Sequence, residues 1–351
     1  MRPILGIETS CDETAAAVVD GEGRVLAEAV LSQFIEHSPF GGVVPEIAAR
    51  SHLQYLPEQV RLTMARADVA FSDLGGIAAT SGPGLIGGLI VGCQFGKGVA
   101  IANRLPFVGV NHLEAHALTA RLPGLVEGGV PFPYLLFLLS GGHSQCIAVT
   151  GVGQYIRLGG TVDDAAGEAF DKVAKLLDLE WPGGPALERM AAGGDPSSYP
   201  FPRPMMRRQG CDLSFSGLKT AVAQAVLCNS PNLPQVQRAN IAASFQRAVV
   251  DVLADRATNA MDMMRQRLPE TNLLVVAGGV ASNASVRARL AEAARSRGFR
   301  LVAPPVRLCS DNAVMVAWAG LERLRLGRHG DGIDIAARPR WPLEDLEAIP
   351  G

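Results

Sequence analysis

Aromatic side chains are scarce in this sequence, 5% of 351 residues, so its 48% hydrophobic content rests on small and aliphatic side chains. With 39 glycines and 19% charged residues, that composition suits an α/β protein with a large core and many tight strand-to-helix turns. Paired cysteines are lacking too. Cys11, Cys93, Cys146, Cys211, Cys228 and Cys309 are scattered, with no C-x-x-C pair and no framework spacing, and read as reduced, mostly buried thiols. No stretch approaches the ~20 uninterrupted apolar residues of a membrane span. The N-terminal MRPILGIETSCDETAAAVVD meets acids too soon for a secretory core. The expectation is a soluble, cytoplasmic protein without a membrane partner. A dominant charge is missing as well: the net charge of −2 argues against a chain that coats itself in nucleic acid by charge alone, and leaves room for a local basic face. Candidate pieces are Arg203, Arg207, Arg208 and Lys219, and the set Arg323, Arg325, Arg328, Arg338 and Arg340. Taken singly, each is as well read as a scattered solvated charge.

What is present has an order. The chain is too long for one comfortable core and fits two domains, 1–128 and 129–310, with a C-terminal helix at about 311–345 packing back on the first. The segment EGGVPFP at 127–133 is a plausible hinge. The first twenty residues read strand, polar turn, strand, and the pattern returns at 134–150, where YLLFLL runs into SGGHS and QCIAV. Two domains would each open with an apolar hairpin, their tips facing across a cleft and offering backbone N–H groups to anions. NLLVVAGGVASNASVRARLAEAARSRG reads as a buried strand, a Gly-Gly turn, a Ser/Asn cap and an amphipathic helix ending at Gly298. A similar unit follows, with Ser310 as N-cap and Gly327 as stop signal.

The six histidines include two placed four apart in VNHLEAHALTA. Asn111 is a good N-cap, and Glu114 falls where a capping-box acid belongs. His112 and His116 then share one helix face and are close enough to share one ion. A helix N-terminus also keeps both rings in the neutral, metal-competent form. The zinc-protease order is H-E-x-x-H; here the acid is third and points away from the histidine face, so proteolysis loses most of its support. Ordinary helix surface remains an alternative. Asp311 could complete a two-histidine, one-carboxylate site with open positions, which suits Fe(II) or Zn. In LLSGGHSQ, Gly141 and Gly142 allow close backbone approach, and Ser140, His143 and Ser144 add donors. The tip suits a phosphate or carboxylate, a tight hairpin being the plainer reading. Asp171, Gly184 and Glu188 are candidates for a ribose pocket, or the two acids are surface acids.

With these residues assembled, the chain resembles the TsaD family of tRNA N6-adenosine threonylcarbamoyltransferases over nearly its whole length. The matching stretches are GIETSCDET, GGVVPEIAARSH, SGPGL, GVNHLEAH, LLSGGHS, DDAAGEAFDK, PGGP, SFSGLKTA, AGGVASN and CSDNAVM. The resemblance implies duplicated actin-like (ASKHA, RNase H-like) domains with an interdomain cleft. It implies transfer of the threonylcarbamoyl group from threonylcarbamoyl-AMP to N6 of adenosine 37, in tRNAs reading codons that begin with A, with release of AMP. It makes His112, His116 and Asp311 the ligands of one divalent metal ion, Fe(II) or else Zn. Leu139, Ser140, Gly141, Gly142 and His143 would be the substrate loop, and Asp171, Gly184 and Asn283 the nucleotide contacts, with Glu188 secondary. Ser10, Asp12 and Glu13 fall on the phosphate-side hairpin, where Asp12 or Glu13 would orient the adenine amine or take up its proton. The implied partners are tRNA through its anticodon arm, the paralogous actin-like subunit TsaB and the small ATPase TsaE. The paired subunit would meet the apolar stripe Ala49, Leu53, Leu56, Val60 and Met64, on a helix kinked or restarted at Pro57. Two other classes bear comparison: an actin-like sugar or acetate kinase has no need of paired histidines, and a non-catalytic scaffold would tolerate their loss.

Overall fold

A computed structural model describes residues 1–228, 233–327 and 330–346. The chain forms two compact units: Met1–Pro131 with Gly151–Tyr155 and Ser310–Gly351, and Phe132–Thr150 with Ile156–Cys309. The first break falls inside the segment 127–133.

The first unit is built on β1 (Ile4–Glu8), β2 (Glu13–Val19), β3 (Val25–Ser32), β4 (Gly76–Gly82) and β5 (Phe107–Asn111), in the order β3-β2-β1-β4-β5. β1 runs antiparallel to β2 and parallel to β4, and β5 continues the parallel half. Every residue of β1, β4 and β5 is buried, as expected of strands covered on both faces. A short turn, α1 (Phe34–His37), precedes α2 (Pro45–Ala67), which packs on one face with α3 (Ile86–Asn103) and leads on to α4 (His112–Thr119).

Here one expectation is corrected. Leu56, Val60 and Met64 are 0–5% exposed and pack in the core with Leu5, Ile7, Val18 and Ile77, so they are not a partner surface. Of that stripe, only Leu53 is fully on the outside, 68% exposed. Pro57 neither breaks nor restarts α2. It lies on the exposed side beside Leu53, where water can serve the carbonyl that its missing N–H leaves free. By length and composition α3 is apolar enough to cross a bilayer, yet its glycine face lies on the sheet. A Cβ at Gly92 would come within 2.2 Å of Thr9 Oγ1.

The second unit repeats the plan. Its strands β6 (Tyr134–Leu139), β7 (Ser144–Gly151), β8 (Gln154–Gly160), β9 (Leu273–Ala277) and β10 (Arg300–Val302) lie in the order β10-β9-β6-β7-β8. Read from the other end, this is again third, second, first, fourth, fifth. Helices α5 (Ala166–Leu176), α6 (Gly183–Ala191), α7 (Ser216–Cys228), α8 (Gln235–Arg267) and α9 (Ala284–Ser296) surround it. Phe137, Phe170, Phe245, Leu253 and Met261 are among its core.

The chain then returns to the first unit as α10 (Ala313–Arg325), which covers the second face of the first sheet. It lies so close that a Cβ at Gly6 would stand 2.4 Å from Ala313 O. Asn312, not Ser310, caps α10: its Oδ1 accepts Met315 N at 2.9 Å. Nor does a helix continue to 345. After Gly327 (φ +83°), and with Pro339 and Pro342 ahead, the described part of the tail is an irregular strap. Asp331 N donates to Phe107 O (2.7 Å), Arg338 N to Ser81 O (2.7 Å) and Asn111 Nδ2 to Trp341 O (2.9 Å).

Candidate metal centre and substrate rim

Asn111 ends β5 and caps α4, its Oδ1 accepting Leu113 N at 2.9 Å and Glu114 N at 3.4 Å, a cap worth about 1 kcal/mol over alanine. All of α4 is buried, which removes the helix-surface reading of its histidines. The two rings stand edge to face, 4.7 Å between centroids. His112 Nε2 lies 3.4 Å and His116 Nε2 3.2 Å from the same atom, Asp311 Oδ1. One ligand atom from each of the three residues falls within 4.8 Å of the others. Two imidazole nitrogens crowding one carboxylate oxygen is an arrangement that one cation satisfies, and His116 Nδ1 is buried with no hydrogen-bond partner among the described residues. The N₂O donor set fits Fe(II) or Zn. Burial works to raise Asp311, but the flanking imidazoles outweigh it and hold the carboxyl below the ordinary range. Burial likewise works to lower His112, and Asp311 and Glu8 hold it well above its usual value.

Glu114 is not a cap. Its carboxylate, 0% exposed, turns away from the histidines to Arg323 Nη2 (2.7 Å), Gly153 N (3.1 Å) and Tyr155 Oη (3.0 Å). That excludes a proteolytic base and takes Arg323 out of any basic face. The other candidate cations are dispersed: Arg203 pairs with Asp251 and Lys219 with Asp164. Arg325 and Arg338 lie over Trp318 and Trp341, and Arg207, Arg208 and Arg340 are exposed. Arg328 lies outside the described residues.

The β1–β2 tip stands beside the triad. Ser10 Oγ is 3.2 Å from His112 Nδ1. Asp12 and Glu13 are neighbours at the tip, and burial pushes the Glu13 carboxyl well up, with Asp311 and Asp12 adding to the effect. His52 Nε2 lies 3.0 Å from Cys11 O and its Nδ1 2.8 Å from Thr14 Oγ1, tying the tip to α2. One residue of this cluster escaped the sequence reading. Glu8 Oε2 is 3.2 Å from His112 Nδ1 and accepts Thr80 Oγ1 at 2.6 Å. The available signal was an acid closing the otherwise apolar strand ILGIE.

The substrate candidates all lie in the second unit and form a chain of contacts. At the β6–β7 tip, Ser140 N donates to His143 O (2.7 Å) and His143 N to Ser140 Oγ (3.1 Å). The start of α5 closes on it, Gly167 N to Ser140 O (3.3 Å) and Glu168 N to Gly141 O (3.2 Å). Gly278 (φ +92°) lies against Leu139, where a Cβ would be 2.4 Å from its carbonyl oxygen. Asn283 caps α9 by accepting Val286 N (3.0 Å), and Glu188 on α6 accepts Ala284 N (2.8 Å). Asp171 borders the start of α6, 2.9 Å from where a Gly183 Cβ would sit, while Gly184 faces open space. The tip and the N-termini of α5, α6 and α9 thus make one rim, and helix N-termini favour anionic groups. A separate groove of about 540 Å³ beside α6, α8 and α9, lined by Gln246, Arg247, Ser285 and Arg289, contains none of the sequence-predicted residues.

Residues 24–318 match the model of the family described as TsaD: tRNA N6-adenosine threonylcarbamoyltransferase. The chain is 63% identical to the protein of that name from Granulibacter bethesdensis over 97% of its own length and 94% of the relative's. It is 56% identical to the one from Gluconobacter oxydans, covering 98% and 94%. Among solved structures, full-length HypF in a phosphate- and nucleotide-bound form aligns with a TM-score of 0.62 at 14% identity, over 94% of this chain and 47% of that one. Component A of the Acidaminococcus fermentans (R)-2-hydroxyglutaryl-CoA dehydratase aligns with a TM-score of 0.50 at 16% identity, over 93% and 100%. These likenesses carry the fold alone, which is the duplicated actin-like one.

Proposed function

The chain belongs to the tRNA N6-adenosine threonylcarbamoyltransferase family and transfers a threonylcarbamoyl group to N6 of adenosine in tRNA, and from that premise we propose how its residues divide the work. The donor is threonylcarbamoyl-AMP, the acceptor is adenosine 37 in tRNAs reading codons that begin with A, and AMP leaves. His112, His116 and Asp311 hold one divalent ion, Fe(II) with Zn as the alternative. The observation that carries this is the convergence of both Nε2 atoms on Asp311 Oδ1. Such an ion, when bound, supplies Lewis-acid polarisation of donor oxygens.

A mixed anhydride is already activated, so the protein's work is holding and orienting. Of the tip residues Leu139, Ser140, Gly141, Gly142 and His143, Gly141 and Gly142 offer backbone N–H groups to negative charge, since Ser140 N and His143 N are spent within the tip. Asp171, Gly184 and Asn283, with Glu188, hold the nucleotide half. Asp12 or Glu13 orients the adenine amine or accepts its proton. Asn283→Ala and Asp171→Ala are expected to weaken AMP binding by roughly tenfold each, the scale of one lost hydrogen bond, with metal content unchanged. Calorimetric titration checks this, and unchanged AMP affinity in both variants would place the nucleotide elsewhere. Transfer itself is read with labelled threonine and tRNA.

The reaction is proposed to run in the cytoplasm with TsaB and TsaE, and full-rate transfer by the purified chain alone would refute their need. For the paired subunit, exposed Leu53 on α2 and Ile86 and Ile90 on α3 (both 46% exposed) support a docking surface where the two helices touch. Leu53→Glu should prevent a heterodimer in size-exclusion chromatography and leave the monomer folded, whereas Val60→Glu buries a charge and should unfold it. A heterodimer unaffected by Leu53→Glu would move the interface elsewhere.

A further inference from the structure

Glu8 is 0% exposed at the end of a strand buried on both faces, a position where a carboxylate persists only if donors surround it. Three do. Ser10 N donates to Oε1 at 2.6 Å, Thr80 Oγ1 to Oε2 at 2.6 Å, and His112 Nδ1 lies 3.2 Å from Oε2. Resting on the metal reading above, we propose that Glu8 is a positioning residue for the centre: it accepts the Nδ1–H of His112, fixes that tautomer and leaves the Nε2 lone pair for the ion.

A carboxylate can only accept, so an imidazole nitrogen facing it carries the proton. Nε2 faces a carboxylate too, Asp311 at 3.4 Å, but an ion held there would take the place of its proton, so Nδ1, backed by Glu8, is the nitrogen that keeps one. Without Glu8 the only remaining neighbour of Nδ1 among the described contacts is Ser10 Oγ at 3.2 Å, which donates or accepts equally well and selects no tautomer. The wrong tautomer would aim an N–H at the ion's position. A carboxylate partner also raises the basicity of the coordinating nitrogen. His116 has no such partner on Nδ1, so Glu8 orients the one imidazole of the pair that is fixed from behind.

Glu8→Gln keeps the shape and replaces one acceptor oxygen by an NH₂. Zinc affinity of the full chain, measured by competition with a chromophoric chelator, should fall by about 10–100-fold, while the circular dichroism spectrum is retained. Ser10→Ala, which leaves the carboxylate in place, should change it little. A second reading needs no variant: ¹⁵N NMR of the zinc-loaded wild type should put the metal on Nε2 of His112 and an exchange-protected proton on Nδ1. A folded Glu8→Gln chain with wild-type zinc affinity, or a wild type with zinc on Nδ1, overturns the proposal. A wild type that takes up neither zinc nor iron instead overturns the metal reading itself, so the two failures are distinct.

Discussion

Asp311→Asn is expected to give a folded chain that neither holds its metal nor transfers. The side chain keeps its size, and the helix behind it is capped by Asn312, not by Asp311, so the fold has little to lose. The site loses its negative charge, and the carboxylate on which both histidines converge becomes a neutral amide, a much weaker ligand. The loss of affinity should exceed the about 100-fold that removal of an outer partner costs, and transfer should fall with it. Metal content by elemental analysis and transfer with labelled threonine check this together. Full metal and a normal rate in Asp311→Asn would remove the triad from the reaction.

The second large effect is on stability. Arg323→Met leaves the Glu114 carboxylate fully buried with only Gly153 N and Tyr155 Oη for partners. Breaking a buried pair from one side costs about 3–5 kcal/mol, a large part of the about 5–15 kcal/mol that holds a typical domain together. The urea midpoint of the transition that reports the first unit should drop accordingly, or the variant should be insoluble. Adding Glu114→Gln removes the stranded charge and should restore a good part of the loss. An Arg323→Met protein within 1 kcal/mol of wild type, with the threshold taken as roughly the effect of an ordinary surface change, would refute this account.

These two sites also show what a sequence reveals. Asn111, His112 and His116 were legible because a cap and an i, i+4 pair are local. The two hairpins were legible for the same reason, and they anticipated a duplication that the shared strand order makes plain. Asp311, far along the chain from His116, was joined to it chiefly by resemblance. Glu114 was misread because a capping acid and a buried ion-pair acid have the same letter, and Arg323 sits on a distant helix. The stripe on α2 failed for a related reason: apolar periodicity marks a face to be covered and does not say by what. Val60 is covered by the chain's own sheet, and Leu53, two turns earlier on nearly the same face, is not. Glu8 was passed over because the burial of an acid leaves no periodic trace. The C-terminal helix starts later and ends sooner than 311–345 because Asn312 is the cap and the chain turns at Gly327 with prolines beyond it.

The first unit is discontinuous, and that sets a timetable during synthesis. His112 and His116 leave the ribosome early, but Asp311, α10 and the strap over Asn111 follow only after Phe132–Cys309. At about 5–20 residues per second, the roughly 180 residues between require on the order of 10–35 s. Through that interval the nascent first sheet has no α10 on the face around Gly6 and Ala78. Its histidines meanwhile lack their carboxylate. On the proposed metal reading, loading would belong to the end of synthesis, after the last strand of the second unit has emerged, and a chain stalled before residue 311 would carry two of the three ligands.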